Sequence, residues 1–164
     1  MAVVFLGIGG NLGSRILNIE KTIKLVSEKI SIPEKISSLY ISEPWGFEHS
    51  KYFTNAVIQL NSELSPEQLL RIIKDIETEM KRIKTSDSYE GRTMDIDILF
   101  YEEKIVNNDN LQIPHPLLQN RLFVLLPLNE IAPGFIHPAL NKSISELLKA
   151  CKDQSKIRRL CYGA

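Results

Sequence analysis

The amino-acid sequence predicts an α+β domain in which a mainly antiparallel sheet carries packed helices, an arrangement of the split βαβ kind. Three observations lead there. Apolar residues switch between period two and period 3.6 in the order β, α, β, β, α, β. The 164 residues are 43% hydrophobic and 24% charged, the balance of an ordinary globular protein, with no low-complexity tract and no internal repeat. A chain of that length buries about two thirds of its unfolded surface, so a single domain over residues 1–164, with one core, needs no disulfide or metal staple.

The elements follow in order. Val3-Val4-Phe5-Leu6-Gly7-Ile8 reads as a first, buried strand, and Gly9-Gly10-Asn11-Leu12-Gly13 as a glycine-rich turn. Ile16, Ile19, Ile23, Val26 and Ile30 then form one stripe at helical spacing, stopped by Pro33. Ile36 to Ile41 reads as a second strand, residues 42–50 as a long loop, and Phe53 to Leu60 as a third strand. The next helix has the strongest start signal: Ser65 caps, Pro66 suits the first helical position, and Gln68 completes a capping box. Its buried stripe is Leu69, Ile73, Ile76, Met80 and Ile83. Residues 84–91 lack periodicity and read as a second long loop, before Met94 to Tyr101 alternate as a strand with a hairpin into Lys104 to Val106. Pro114, Pro116, Pro127, Pro133 and Pro138 break the remainder into short pieces, until Ser143 and Glu146 form a capping box for a last helix to about Ala150.

Twenty basic residues balance twenty acidic ones, so no overall field steers the chain toward nucleic acid or an anionic membrane, and any anion must be caught by a local cluster. The first apolar run is too short to span a bilayer and lacks the basic stretch of a secretory signal. A cytoplasmic protein acting on small molecules, as a monomer, is therefore expected. Cys151 and Cys161 have no partners at zinc-ligand spacing; free thiols are the simplest reading and a disulfide between them the alternative.

Chemistry concentrates in Arg92-Thr93-Met94-Asp95-Ile96-Asp97-Ile98. Period two puts Asp95 and Asp97 on one face of a strand and Met94, Ile96 and Ile98 on the other. Two adjacent carboxylates repel, so a cation beside them explains the pair better than stability does, and the all-oxygen donor set points to Mg²⁺. Taken alone, the pair also fits a solvated strand face. Arg82 and Arg92 bracket the second loop and can close over phosphate oxygens, although ordinary surface arginines would look the same. Glu77 sits at the edge of its helix's apolar stripe. His115, between two prolines, and Arg121 can donate to phosphates, while Phe53 and Phe123 can sandwich a flat ring whose polar edge Asn55 reads; plain core packing is the alternative for each aromatic. The glycine turn fails the dinucleotide fingerprint, since the third glycine of G-x-G-x-x-G would fall at Leu12, and no P-loop is present.

Together these motifs resemble the 6-hydroxymethyl-7,8-dihydropterin pyrophosphokinase family of folate biosynthesis over nearly the whole chain. The family's G-S-N-L-G turn is matched by Gly9-Gly10-Asn11-Leu12-Gly13, its P-x-G by Pro44-Trp45-Gly46 and its F-x-N-x-V by Phe53 to Val57. Its R-T-x-D-[IL]-D-[IL]-[LI] is matched by Arg92 to Leu99, [IV]-P-H-P by Ile113 to Pro116, and N-R-x-F by Asn120 to Phe123. The resemblance implies a ferredoxin-like, three-layer α/β/α fold and transfer of pyrophosphate from ATP to the pterin hydroxymethyl group, giving AMP. It also implies two Mg²⁺ ions on Asp95 and Asp97, with Arg82 and Arg92 assisting catalysis. By the same carry-over Glu77, Arg82, Tyr89, Arg92, Ile98, His115 and Arg121 line the ATP site, while Ser42, Pro44, Trp45, Gly46, Phe53, Asn55 and Phe123 hold the pterin. The chain departs from the pattern where Tyr89-Glu90-Gly91 stands for the family's W-G-P and Gly10 for its first serine. Both long loops are expected to close over ligands. Another Mg²⁺-dependent phosphoryl or nucleotidyl transferase, or a regulatory small-molecule-binding module of the same fold, are the competing readings.

Overall fold

The computed structural model describes residues 1–11, 14–42, 52–83 and 94–160, side chains of residues 82 and 83 excepted. Strand β1 (Ala2–Gly10) is central, flanked by β4 (Phe53–Ser62) and β5 (Asp95–Tyr101), with β3 (Leu39–Ser42) and β8 (Ile157–Leu160) extending the sheet beyond β4. Every pairing is antiparallel, and the short β2 (Lys35–Ile36) also pairs with β4. Helices α1 (Arg15–Lys29) and α2 (Pro66–Ile83) cover one face; α3 (Leu122–Ile131) and α4 (Ile144–Ala150) cover part of the other.

This is the three-layer α/β/α arrangement, and it corrects the expectation of one core. Val4, Leu6, Ile8, Ile58, Ile73, Ile76, Met80, Ile96 and Ile98 pack between the sheet and α1/α2. Phe5, Val57, Leu99, Phe100, Leu125, Leu128 and Leu147 pack on the far side. A sheet buried on both faces makes its central strand read as a continuous apolar run rather than an alternating one, as Val3 to Ile8 does.

Local signals are realised where they were strongest. Ser65 and Gln68 exchange hydrogen bonds at 2.9 and 3.2 Å, and Ser143 and Glu146 form the second capping box. Several elements differ from expectation. The glycine run is partly strand, since β1 continues through Gly10. The predicted second strand is split into β2 and β3 at Ser37 and Ser38. In α1, Asn18 and Thr22 are buried while Ile16 is 42% exposed, so the helix is rotated from its purely apolar stripe. The hairpin is displaced: β6 (Val106–Asn107) pairs with β7 (Gln112–Ile113), not with β5. Helix α3 contains Pro127 and is apolar nearly all round, so it carries neither a polar face nor an uninterrupted pattern. Strand β8 is also additional. Cys151 packs beside the second core; Cys161 lies outside the described residues. No helix among the described residues is long and apolar enough to cross a membrane.

Candidate active site

Among the described residues, the face turned toward α3 and α4 is covered at only one end. Strand register sets its side chains in rows: Asp95, Gly9, Asn55 and Tyr40 align across β5, β1, β4 and β3, and Asp97, Gly7 and Val57 align next to them. A glycine stands on β1 between the carboxylate strand and β4 in both rows. Nothing rises there, and the result is a cavity of about 950 Å³ with a flat floor. A Cβ on Gly9 would collide with Asn55 Oδ1, whereas one on Gly7 would meet Leu99 at an ordinary 3.5 Å. Asn55 is buried and donates through Nδ2 to Ser42 Oγ at 3.3 Å, so its amide is held at the floor's edge.

Three walls surround that floor. Helix α2 supplies Lys74, Glu77 and Lys81, at i, i+3 and i+7 and so along one side of the helix. Glu77 Oε2 accepts the Ile96 N–H at 2.9 Å, fastening α2 to the open edge of β5, and its other oxygen lies 3.5 Å from Lys74 Nζ. The second wall is the segment after β7. The His115 N–H donates to the Leu99 carbonyl at 3.1 Å, and its Nδ1 accepts the Leu117 N–H at 3.2 Å. A neutral His115 therefore carries its proton on Nε2, which lies 4.0 Å from Asp97 Oδ2. The start of α3 forms the third wall: Arg121 and Phe123 face the cavity, the guanidinium 5.5 Å from the ring centre.

Desolvation raises the Asp97 pKa, with Asp95 adding to the rise against the lowering influence of His115, Arg121 and Lys74. Burial lowers that of His115, and Arg121 adds to this against Asp97. Asp97 thus lies in surroundings that disfavour its charged form and would welcome a cation beside it. Among the described residues no group of three or more His, Cys, Asp or Glu side chains forms a closed metal cage. Two carboxylates with room beside them suit a hard cation that completes its shell with water and substrate phosphates.

The chain matches the family model "7,8-dihydro-6-hydroxymethylpterin-pyrophosphokinase (HPPK)" over residues 5–133. It is 40% identical to the 2-amino-4-hydroxy-6-hydroxymethyldihydropteridine pyrophosphokinase of Aquifex aeolicus over 161 residues, covering 98% of this chain and 97% of that one. The chain belongs to the pyrophosphokinase family of folate biosynthesis. It is also 40% identical to the Dictyostelium discoideum folic acid synthesis protein FOL1, of which it spans 21%, matched by 85% of this chain. In fold it is similar to the Plasmodium falciparum HPPK-DHPS crystallised with SDX-DHP, at a TM-score of 0.72 and 20% identity, over 92% of this chain and 43% of that one.

In this pyrophosphokinase one cavity brings together Ser42, Phe53, Asn55, Glu77, Asp95, Asp97, His115, Arg121 and Phe123, all singled out from the sequence. Ile98 is different: its side chain points into the α1/α2 core, and Leu99 takes its place on the cavity side. The reason is the same period two that places the aspartates on the cavity face: Asp95, Asp97 and Leu99 share that face, and Ile98 falls on the other with Ile96. Pro44, Trp45, Gly46, Tyr89 and Arg92 lie outside the described residues, as do the Arg82 side chain and both loops expected to close. Sequence reading missed Gly7 and Gly9, legible as glycines at period two on a buried strand, and Lys74 and Lys81, legible from their spacing about Glu77. It also missed Asp153 and Ser155, which line the cavity without any motif to announce them.

Proposed function

We propose that this chain, a single-domain cytoplasmic monomer, transfers the pyrophosphoryl unit of ATP to the hydroxymethyl oxygen of 6-hydroxymethyl-7,8-dihydropterin in a Mg²⁺-dependent reaction that releases AMP. One observation carries the reading: a single cavity holds carboxylates on one side of a glycine floor and a buried amide with two aromatic rings on the other. The first side suits a metal–triphosphate, the second a flat, polar-edged heterocycle.

Asp95 and Asp97 would hold the cation, two ions by the family resemblance. Bound Mg²⁺ supplies charge neutralisation of the triphosphate and favours the alcohol oxygen as nucleophile. Phe53 and Phe123 flank the ring and Asn55, steadied by Ser42, reads its amide edge. Pro44, Trp45 and Gly46 complete that side by their motif. His115 Nε2–H and Arg121 donate to phosphate oxygens, Glu77 keeps the β5 edge in place, and Ile98 joins the ATP site by the family resemblance alone. By motif, Arg82, Arg92 and Tyr89 join the ATP site, and the two arginines stabilise charge as the bond to the α-phosphate breaks. Asp97 is the proton acceptor of this scheme. Holding both substrates in line contributes about 7 to 11 kcal/mol, which suits a site that needs no covalent intermediate.

Incubating the protein with Mg²⁺, ATP and the pterin alcohol tests the proposal. AMP and the pterin diphosphate in equal amounts are expected. ADP as product would replace pyrophosphoryl by phosphoryl transfer, and absence of any pterin product would overturn the reading.

A further inference from the structure

Helix α3 presents Arg121 and Phe123 to the cavity from its first turn, yet it contains no cap of its own. Arg121 occupies the N-cap position without a side-chain hydrogen bond to the helix, and the first turn has no acidic residue. The cap comes from Asp153, whose Oδ2 accepts the Leu122 N–H at 2.9 Å. Its Oδ1 accepts the N–H and the hydroxyl of Ser155 at 2.9 and 2.5 Å. The chain then enters β8, where Ile157 pairs with Ser42. Leu122 lies between Arg121 and Phe123, Ile157 lies beside Ser42, and Asp153 and Ser155 themselves line the cavity.

We infer that Asp153 is a positioning residue for the ring-binding half of the site, its carboxylate fastening the start of α3, and with it Phe123 and Arg121, to the segment that backs Ser42. Burial pushes the Asp153 pKa up, but the hydrogen bonds from Ser155 and Leu122 outweigh it and keep the group below the usual carboxylate range. An anion at a helix N-terminus satisfies an orphan N–H and meets the positive end of the helix dipole. That matters for a helix of ten residues interrupted by Pro127. Without the carboxylate the first turn frays, and a ring entering the cavity must order Phe123 as it binds.

This inference rests on the pterin reading, and one set of kinetics separates the two. The variants are Asp153→Ala and Leu122→Pro. Proline at the first helical position removes the one N–H while keeping the helix start, and the extended Arg121 backbone (φ −126°, ψ 112°) accepts a proline after it. Each variant is expected to raise the pterin KM about fivefold, with a smaller rise for ATP and kcat within about twofold. The double variant is expected to match Asp153→Ala rather than the sum of the two, because each single change already removes the Leu122–Asp153 bond. Melting measurements accompany the kinetics, since a purely structural role lowers Tm and leaves KM alone. Wild-type protein that makes no AMP overturns the pterin reading itself. An active wild type whose variants keep their pterin KM, or whose effects simply add, overturns the role of Asp153 only.

Discussion

The two faces of the sheet use the same strands and end differently. Toward α1 and α2, residues of β1, β4 and β5 meet helices of 15 and 18 residues; toward α3 and α4 they meet helices of 10 and 7. At 1.5 Å per residue α2 reaches about 27 Å and α3 only about 15 Å, while a ten-residue strand runs about 33 Å. The first face is closed over Val4, Leu6, Ile8, Ile58, Ile96 and Ile98. Among the described residues the second is closed over Phe5 and Phe100 and open over Gly7, Gly9, Asn55, Asp95 and Asp97. The site lies beside the first turn of the shorter helix α3, where period two sends one set of side chains to the core and the alternate set to the chemistry.

Changing the open face should damage activity and spare the fold. Asp97→Asn removes a charge beside Asp95, and we expect kcat/KM to fall roughly a thousandfold, about 4 kcal/mol, with Tm unchanged or raised. AMP release at saturating Mg²⁺ measures it; near-normal turnover would remove Asp97 from the mechanism. Ile76→Ala on the closed face should do the opposite, costing about 2–5 kcal/mol in urea unfolding because the side chain is fully buried, while the folded fraction keeps its KM values. A shifted KM there would show that the two faces are not independent.

Much of this division was legible in the sequence. The aspartates, Phe53, Asn55 and the capped α2 all follow from periodicity and local capping, which depend on neighbours within one or two turns. The open end itself was not legible, because it depends on where α3 begins and ends, and α3 hides behind Pro127 and a surface that is apolar nearly all round. Asp153 was invisible for a related reason: its partner Leu122 is 31 residues away, and a lone Asp among polar residues carries no pattern. The glycines were visible but misread. By sequence Gly9 belongs to a turn and Gly7 only to a buried strand; together they are the floor of the cavity, a role that appears only when β1 is paired on both sides.

That misreading yields a sharper test within the open face. Gly9→Ala must displace the Asn55 amide, whereas Gly7→Ala only touches Leu99. We expect the first to raise the pterin KM about tenfold, close to 1.4 kcal/mol, with ATP binding little affected. The second should change KM less than twofold and leave Tm within a few degrees. Equal effects from the two alanines, followed by titration of each protein with a pterin analogue, would mean that Asn55 does not read the ring.

The smallest effect expected comes from the closed end of the second face, where His137 packs edge-on against Phe100 at 5.4 Å and its Nδ1 accepts the Ala139 and Leu140 N–H groups, each at 3.1 Å. Burial lowers its pKa below the ordinary 6.5, and protonation would put a proton where both donors point. Between the lowered folded value and the unfolded one, the unfolded chain binds more protons, so stability rises with pH. The contribution of His137 is whole above about 6.5 and is lost as pH falls through the folded pKa. His137→Asn keeps an acceptor in the same place and removes the titration. Urea midpoints from pH 7.5 down to about 5 should therefore fall less steeply for the variant than for the wild type. Parallel slopes would mean that His137 contributes nothing to the acid dependence of stability.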